Sequence, residues 1–346
     1  MKPLGALLGV LLLASTAYIA WLFLFRAGSP EAPSGSRRGI GLLRIAIIIQ
    51  AFGALIDWVL MLATPWAGIS AIPIAAVPMA VLASMALGRE GIDAMRERNR
   101  MEREMEIASG IQHSLLPPNV VSVPGFDVAA WSQPAYRTGG DTCDVFPLPG
   151  NRLLVMLADV SSHGLGPALI ASEVRALLRA LTGHCNRPDE ILKEMRRLLA
   201  LDLQEGQMIT CFVALLDPAS ASVSYASAGQ GPIMHYVRSR DRIDAQHATE
   251  LPLLPLEIPR GAGLSGAPVR VSMAPGDFLA VFSDGFYEAA NAKDEQFSIP
   301  RLLSALSAHH DLAPADMIIC VRREVEAFVG PQEQADDMTA IVLRKL

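Results

Sequence analysis

An α/β (α+β) domain behind an apolar N-terminal segment is the fold class this 346-residue sequence predicts. Three observations predict it. Long apolar stretches crowd the first quarter of the chain. Beyond them, strand-like runs sit beside one another and helix-like runs come in pairs, which suits layered sheets and helices rather than strict βαβ alternation. Acids fall repeatedly at the ends of the strand-like runs.

The N-terminal part comes first. Residues 4–25, 40–63 and 65–88 are each long enough to cross a bilayer, which takes about 20 residues. Only Arg44 and Asp57 are charged within them. Arg26, Arg37 and Arg38 lie between the first two stretches, and Arg89, Arg96, Arg98, Arg100 and Arg103 come after the third. Positive residues mark cytoplasmic flanks. Three uncleaved spans therefore put both clusters, and the rest of the chain, in the cytoplasm at the inner membrane. The alternative is a cleaved signal at the first stretch, with Ala14-Ser15-Thr16-Ala17 near a cut site, although its apolar run exceeds the usual core of such signals. Asp57 fits two readings: a functional intramembrane acid, or an acid that snorkels or pairs with Arg44.

Composition limits the rest. The net charge is −6, and the first 88 residues are basic on balance, so the acidity belongs to residues 89–346. That argues against nucleic acid as a partner, since phosphate binding needs a basic face. Cys143, Cys185, Cys211 and Cys320 are scattered without a CxxC pair, which indicates neither zinc nor a disulfide framework.

Residues 89–115 predict one helix, stopped by Pro117-Pro118. Met101, Met105, Ala108, Gln112 and Leu115 step by four and three, forming one seam that packs on its own domain or pairs with a second copy as a homodimer. The organisation is thus a membrane segment over 1–88, a helical linker over 89–118 and a domain over 119–346.

Within that domain, 152–158 predicts a strand. Runs 209–216 and 222–226 flank the turn Asp217-Pro218-Ala219-Ser220 and predict a hairpin. Further strands are expected at 233–237, 278–282 and 339–343, and helices at 165–182, 188–203, 299–309 and 314–328. Asp141 comes directly after Gly139-Gly140, with Asp144 three residues on; Asp159 ends one strand, Asp284 ends another before Gly285, and Asp336 and Asp337 precede the last. Each acid alone reads as a cap or turn residue. Together they read as a site for hard divalent cations, which prefer oxygen ligands and would neutralise the repulsion.

Five motifs in order carry a resemblance: IASGIQHSLLPP at 107–118, GGDTCD at 139–144, ADVSSHGLGPALIAS at 158–172, PGDFLAVFSDGFYEAAN at 275–291 and ADDMTAIVLRKL at 335–346. The chain resembles the metal-dependent protein serine/threonine phosphatases related to protein phosphatase 2C, in the bacterial stage II sporulation protein E and sigma-factor-regulator branch. The resemblance implies an αββα four-layer sandwich and two Mn2+ or Mg2+ ions that activate a water against a phosphoserine or phosphothreonine ester. It implies that Asp159 bridges the ions, that the Val160 carbonyl and Asp141 hold one, and that Asp284 and Asp336 hold the other. Asp144, Gly140, Gly285 and Asp337 would be accessory. His163 would either give a proton to the leaving oxygen or only bond its loop. The implied substrate is a phosphorylated regulatory protein of the anti-anti-sigma type.

Three positions depart from the family pattern: Ser162 replaces a usual glycine, Cys143 lies where an aromatic is common, and Gln230 replaces a usual histidine. They leave open a catalytically weak or inactive metal-binding module that signals by contact. A transporter with a regulatory domain fits poorly, because three short spans give too little lining for a pathway.

Overall fold

The computed structural model describes residues 72–255 and 267–346, with side chains from Gly91 onward. The apolar stretches 4–25 and 40–63 lie outside the described residues, and 65–88 lies outside those with described side chains. Among the described residues, no helix is long and apolar enough to cross a membrane. The chain divides into two compact units, Met1–Glu104 and Met105–Leu346; the second carries the acids.

Helix α1 runs over Ile72–Leu115, so the predicted linker is the C-terminal part of a longer helix. Beyond it the chain forms two antiparallel sheets. The first joins β1 (Val120–Val123), β2 (Phe126–Gln133), β11 (Met338–Lys345), β10 (Phe278–Phe282), β7 (Ile233–Val237) and β8 (Arg242–Gln246), in that order. The second joins β3 (Thr142–Leu148), β4 (Arg152–Val160), β5 (Ile209–Asp217), β6 (Ser222–Ala228) and β9 (Val269–Ser272). Helices α2 (Leu165–Leu181) and α3 (Pro188–Leu199) come after β4, the short α4 (Asp284–Tyr287) comes after β10, and α5 (Ser298–Ala308) and α6 (Pro314–Val329) precede β11.

Side-chain alternation stacks these into four layers. In β4, Leu153, Val155 and Leu157 point into a core shared with Val128, Val281, Ile341 and Leu343 of the other sheet. Leu154, Met156 and Ala158 point the opposite way, against Val174 and Leu178 of α2 and Ile191 and Met195 of α3. On the far side, Ala280, Phe282 and Val342 meet Leu302 of α5 and Met317 and Val321 of α6. Both sheets are therefore covered on both faces. That is why RLLVMLA reads as a continuous apolar run rather than an alternating one.

The expected helices form, α3 ending four residues earlier than predicted. Four of the five strands absent from the sequence expectations, all but β1, have physical reasons. β3, β8 and β9 are edge strands, and they carry Pro147, Arg242 with Asp244, and Arg270, the residue types that protect an edge from further pairing. β2 lies inside its sheet, but its Ala129-Ala130 pair gives little β signal.

Candidate active site

The acids are delivered by strand ends from both sheets. Asp159 is the penultimate residue of β4, opposite Thr210 of β5. Asp284 starts α4, two residues after β10 closes. Asp336 and Asp337 lead into β11, and Asp141 leads into β3. Val160, the last residue of β4, donates its N–H to the Gly140 carbonyl at 3.2 Å. The approach is so close that a side chain on Gly140 would collide with the Val160 carbonyl oxygen. A side chain on Gly285 would likewise collide with the Asp337 carbonyl. Both glycines are needed for the loops to close.

Electrostatics ties the acids together. Burial raises the Asp159 carboxyl to about 7, and the charges of Asp284, Asp336 and Asp337 add to it. Asp141 is 5% exposed. Its carboxyl lies well above the usual carboxylate range, first from burial and then from the Asp159 charge, with the Thr339 hydroxyl opposing. Its Oδ2 is buried without a hydrogen-bond partner. Asp284 is raised by burial, then by Asp336 and Glu288. A buried, unpartnered carboxylate oxygen amid further acids is the charge pattern that a hard divalent cation compensates. By donor chemistry these residues fit the Mn2+ or Mg2+ that the family implies, although among the described residues no three acid, His or Cys side chains are drawn together tightly enough to hold an ion.

Asp337 has a different job from its neighbour. Its Oδ1 accepts the Ala135 N–H at 2.8 Å and its Oδ2 accepts the Asp141 N–H at 3.2 Å. Both oxygens are thus spent on bracing the loop that carries Asp141. Asp336 is exposed and caps the Asp337 N–H at 2.8 Å.

Asp144 is held by arginines. It is fully buried, and Arg179 of α2 grips both its oxygens, Nε at 2.6 Å and Nη2 at 2.9 Å, with Arg175 at 3.2 Å. Asp144, expected as an accessory metal residue, forms an ion pair between β3 and α2. Three residues along a strand point Asp144 to the opposite face from Asp141, a distinction that spacing alone states only if the strand's start is known. His163 stacks on the exposed Tyr136, ring centroids 4.4 Å apart.

Two supporting residues are not evident from sequence. Helical spacing puts Gln112 of α1 on the apolar seam, yet its amide makes a two-way pair with Gly139, donating to the carbonyl at 2.7 Å and accepting the N–H at 3.1 Å. Met105, Ala108 and Leu115 are half-buried beside it, whereas Met101 is exposed. The seam from Met105 onward therefore packs on its own domain, next to a cleft of about 380 Å³ lined by Gln112, His113, Arg137, Asp141 and Asp337. Gln230 is the second; in the sequence it stands out only as a departure from the family pattern.

A family model for stage II sporulation protein E (SpoIIE) matches residues 149–346, more than half of the chain. The chain belongs to the SpoIIE family. The match starts just before β4 and covers the strand ends that bear Asp159, Asp284 and Asp336. This SpoIIE-family chain is similar to phosphoserine phosphatase RsbU of Bacillus subtilis, 25% identical over 254 residues, covering 72% of each chain. It is also similar to protein IcfG of Synechocystis, 23% identical over 272 residues, covering 71% of this chain and 42% of IcfG. It thus spans less than half the length of IcfG. The SiaA-PP2C domain of Pseudomonas aeruginosa shares the fold, with a TM-score of 0.60 at 18% identity, covering 72% of this chain and 98% of that domain. The domain is a PP2C-like phosphatase domain of the SpoIIE type, in a family of hydrolases.

Proposed function

We propose that this protein hydrolyses phosphoserine or phosphothreonine on a regulatory protein, in a divalent-metal-dependent reaction. The observation that carries the reading is the acid cluster: Asp159 raised to about 7 by burial and by its acidic neighbours, beside a buried Asp141 oxygen with no partner. Asp141, Asp159, Asp284, Asp336 and the Val160 carbonyl would hold the metal. When bound, two Mn2+ or Mg2+ ions would supply an activated water and charge stabilisation for the phosphoryl oxygens. The residues do the placing. Asp337 holds the Asp141 loop, Gly140 lets that loop touch the end of β4, and Gly285 lets α4 touch the start of β11. His163, at the turn after Asp159, would give the leaving oxygen its proton or simply hold the loop against Tyr136.

The similarity to phosphoserine phosphatase RsbU supports the substrate class, with a phosphorylated anti-anti-sigma-type protein as the specific partner. The apolar stretches support an inner-membrane anchor with the domain on the cytoplasmic side, and of the 89–115 helix only the part before Met105, where Met101 is exposed, is left to support a homodimer. A second reading, a weak or inactive metal-binding module, draws on Ser162, whose φ of +80° strains the turn after Asp159. One assay separates the two. The full-length chain in detergent should release phosphate from a phosphoserine peptide with Mn2+ present and stop in excess EDTA. Undiminished release in EDTA would overturn the metal-dependent reading, and no release under any metal condition would favour the inactive module.

A further inference from the structure

Gln230 lies between the two sheets, 4% exposed. Its side-chain amide is used in both directions. Oε1 accepts the Thr210 hydroxyl at 2.6 Å, and Nε2 donates to the Phe282 carbonyl at 3.1 Å. Both partners adjoin the acid cluster. Thr210 is the β5 residue directly opposite Asp159. Phe282 is the last residue of β10, two before Asp284. One amide therefore spans from the strand beside Asp159, in one sheet, to the strand that delivers Asp284, in the other. Its own backbone is fixed as well. The Ser227 hydroxyl donates to the Gln230 carbonyl, and the Tyr287 hydroxyl, from the helix that Asp284 begins, donates to the Gly231 carbonyl at 3.0 Å.

We propose that Gln230 is a positioning residue that sets the separation of Asp159 and Asp284, and through it the protein's affinity for its divalent cation. The inference rests on the metal-dependent reading above. Apolar side chains between the sheets resist compression but do not by themselves fix a spacing, and polar ties such as Asp141 to Asp337 and Tyr225 to Gln246 join other strands. An amide suits the position because it offers a donor and an acceptor at once and adds no charge to a cluster already rich in acids. Residues that orient ligands without touching the ion are commonly worth about 10–100-fold in metal affinity.

The experiment titrates Mn2+ into the metal-stripped full-length chain by calorimetry and tracks its melting temperature without metal. Gln230→Met keeps the volume and removes both bonds; we expect Mn2+ binding about 10–100-fold weaker. Gln230→His, whose ring also carries a donor and an acceptor, should bind within a few-fold of the parent. Thr210→Val should weaken binding too, and adding it to Gln230→Met should cost little more, since both remove one link. If Gln230→Met fails to fold, Thr210→Val and Gln230→His decide the matter. A folded Gln230→Met or Thr210→Val chain that melts lower but binds Mn2+ like the parent would overturn the proposal, because a merely structural residue behaves that way. A parent chain that binds no Mn2+ would instead overturn the metal-dependent reading, and the proposal with it.

Discussion

Ser162 holds φ at +80°, a backbone region where glycine is at ease and other residues are strained. The turn after Asp159 needs that conformation, so the substitution leaves strain in the loop rather than reshaping it. Ser162→Gly should raise stability by about 0.5–1 kcal/mol, read as a higher urea midpoint at unchanged slope; a lower midpoint would show the serine to be compensated by contacts. The neighbouring Asp159 gives a pH prediction. Its folded pKa of about 7 lies above the ordinary 3.8. Such a group contributes stability that is fully present below the unfolded value and is lost as pH rises through the folded one, because the unfolded state ionises first. In EDTA, Asp159→Asn should therefore match the parent's stability near pH 4. Above pH 7 it should exceed it, by about 1–3 kcal/mol after allowing for partial exposure and coupling. Thermal melts across that range check the sign, and in Mn2+ the same variant should lose turnover.

At the scale of elements, two ties hold the acid-bearing segments to their surroundings. Asp144 links β3 to α2 through Arg175 and Arg179. Asp144→Asn leaves the mostly buried Arg175 poorly partnered, so we expect a loss of about 2–4 kcal/mol in stability with Mn2+ affinity close to the parent's. A selective loss of Mn2+ affinity in a stable Asp144→Asn protein would show instead that Asp144 serves the metal. Gln112 links α1 to the Gly139 loop. Gln112→Leu should cost about 1–2 kcal/mol, because it leaves backbone groups unpaired, and should speed hydrogen exchange at the Gly139 amide; unchanged exchange there would show that the loop holds itself. A position on the apolar seam is thus a polar latch. Helical spacing identifies which residues share a face, but not whether the surface they meet is a side-chain core or a free backbone edge.

On the scale of the whole molecule, the arrangement explains where sequence reasoning succeeds. Strands buried on both faces, such as β4 and β10, are short continuous apolar runs and are legible at once. Edge strands such as β3, β8 and β9 carry proline or charge because they must not pair further, so the pattern that identifies a strand is weakest there. The layering has the same origin. Each sheet has two apolar faces, one meeting the other sheet and one covered by a helix pair, α2 with α3 or α5 with α6.

The sequence by itself determined that acids would sit at the ends of strands, since a run such as RLLVMLA with Asp159 after it, or FLAVFS with Asp284 after it, ends a buried strand on a charge that must leave the core. It also determined the family, because five ordered motifs constrain identity more tightly than any one of them. Only the tertiary structure decided what each acid faces. Asp337 braces a loop and Asp144 is taken by arginines, although both have the same side chain and similar sequence settings to Asp336 and Asp141. Only the structure, too, gave Gln230 its place between sheets. The physical reason is common to these cases: a carboxylate or an amide is defined by what faces it, and the facing groups here come from residues about 20 to 200 positions away in the chain.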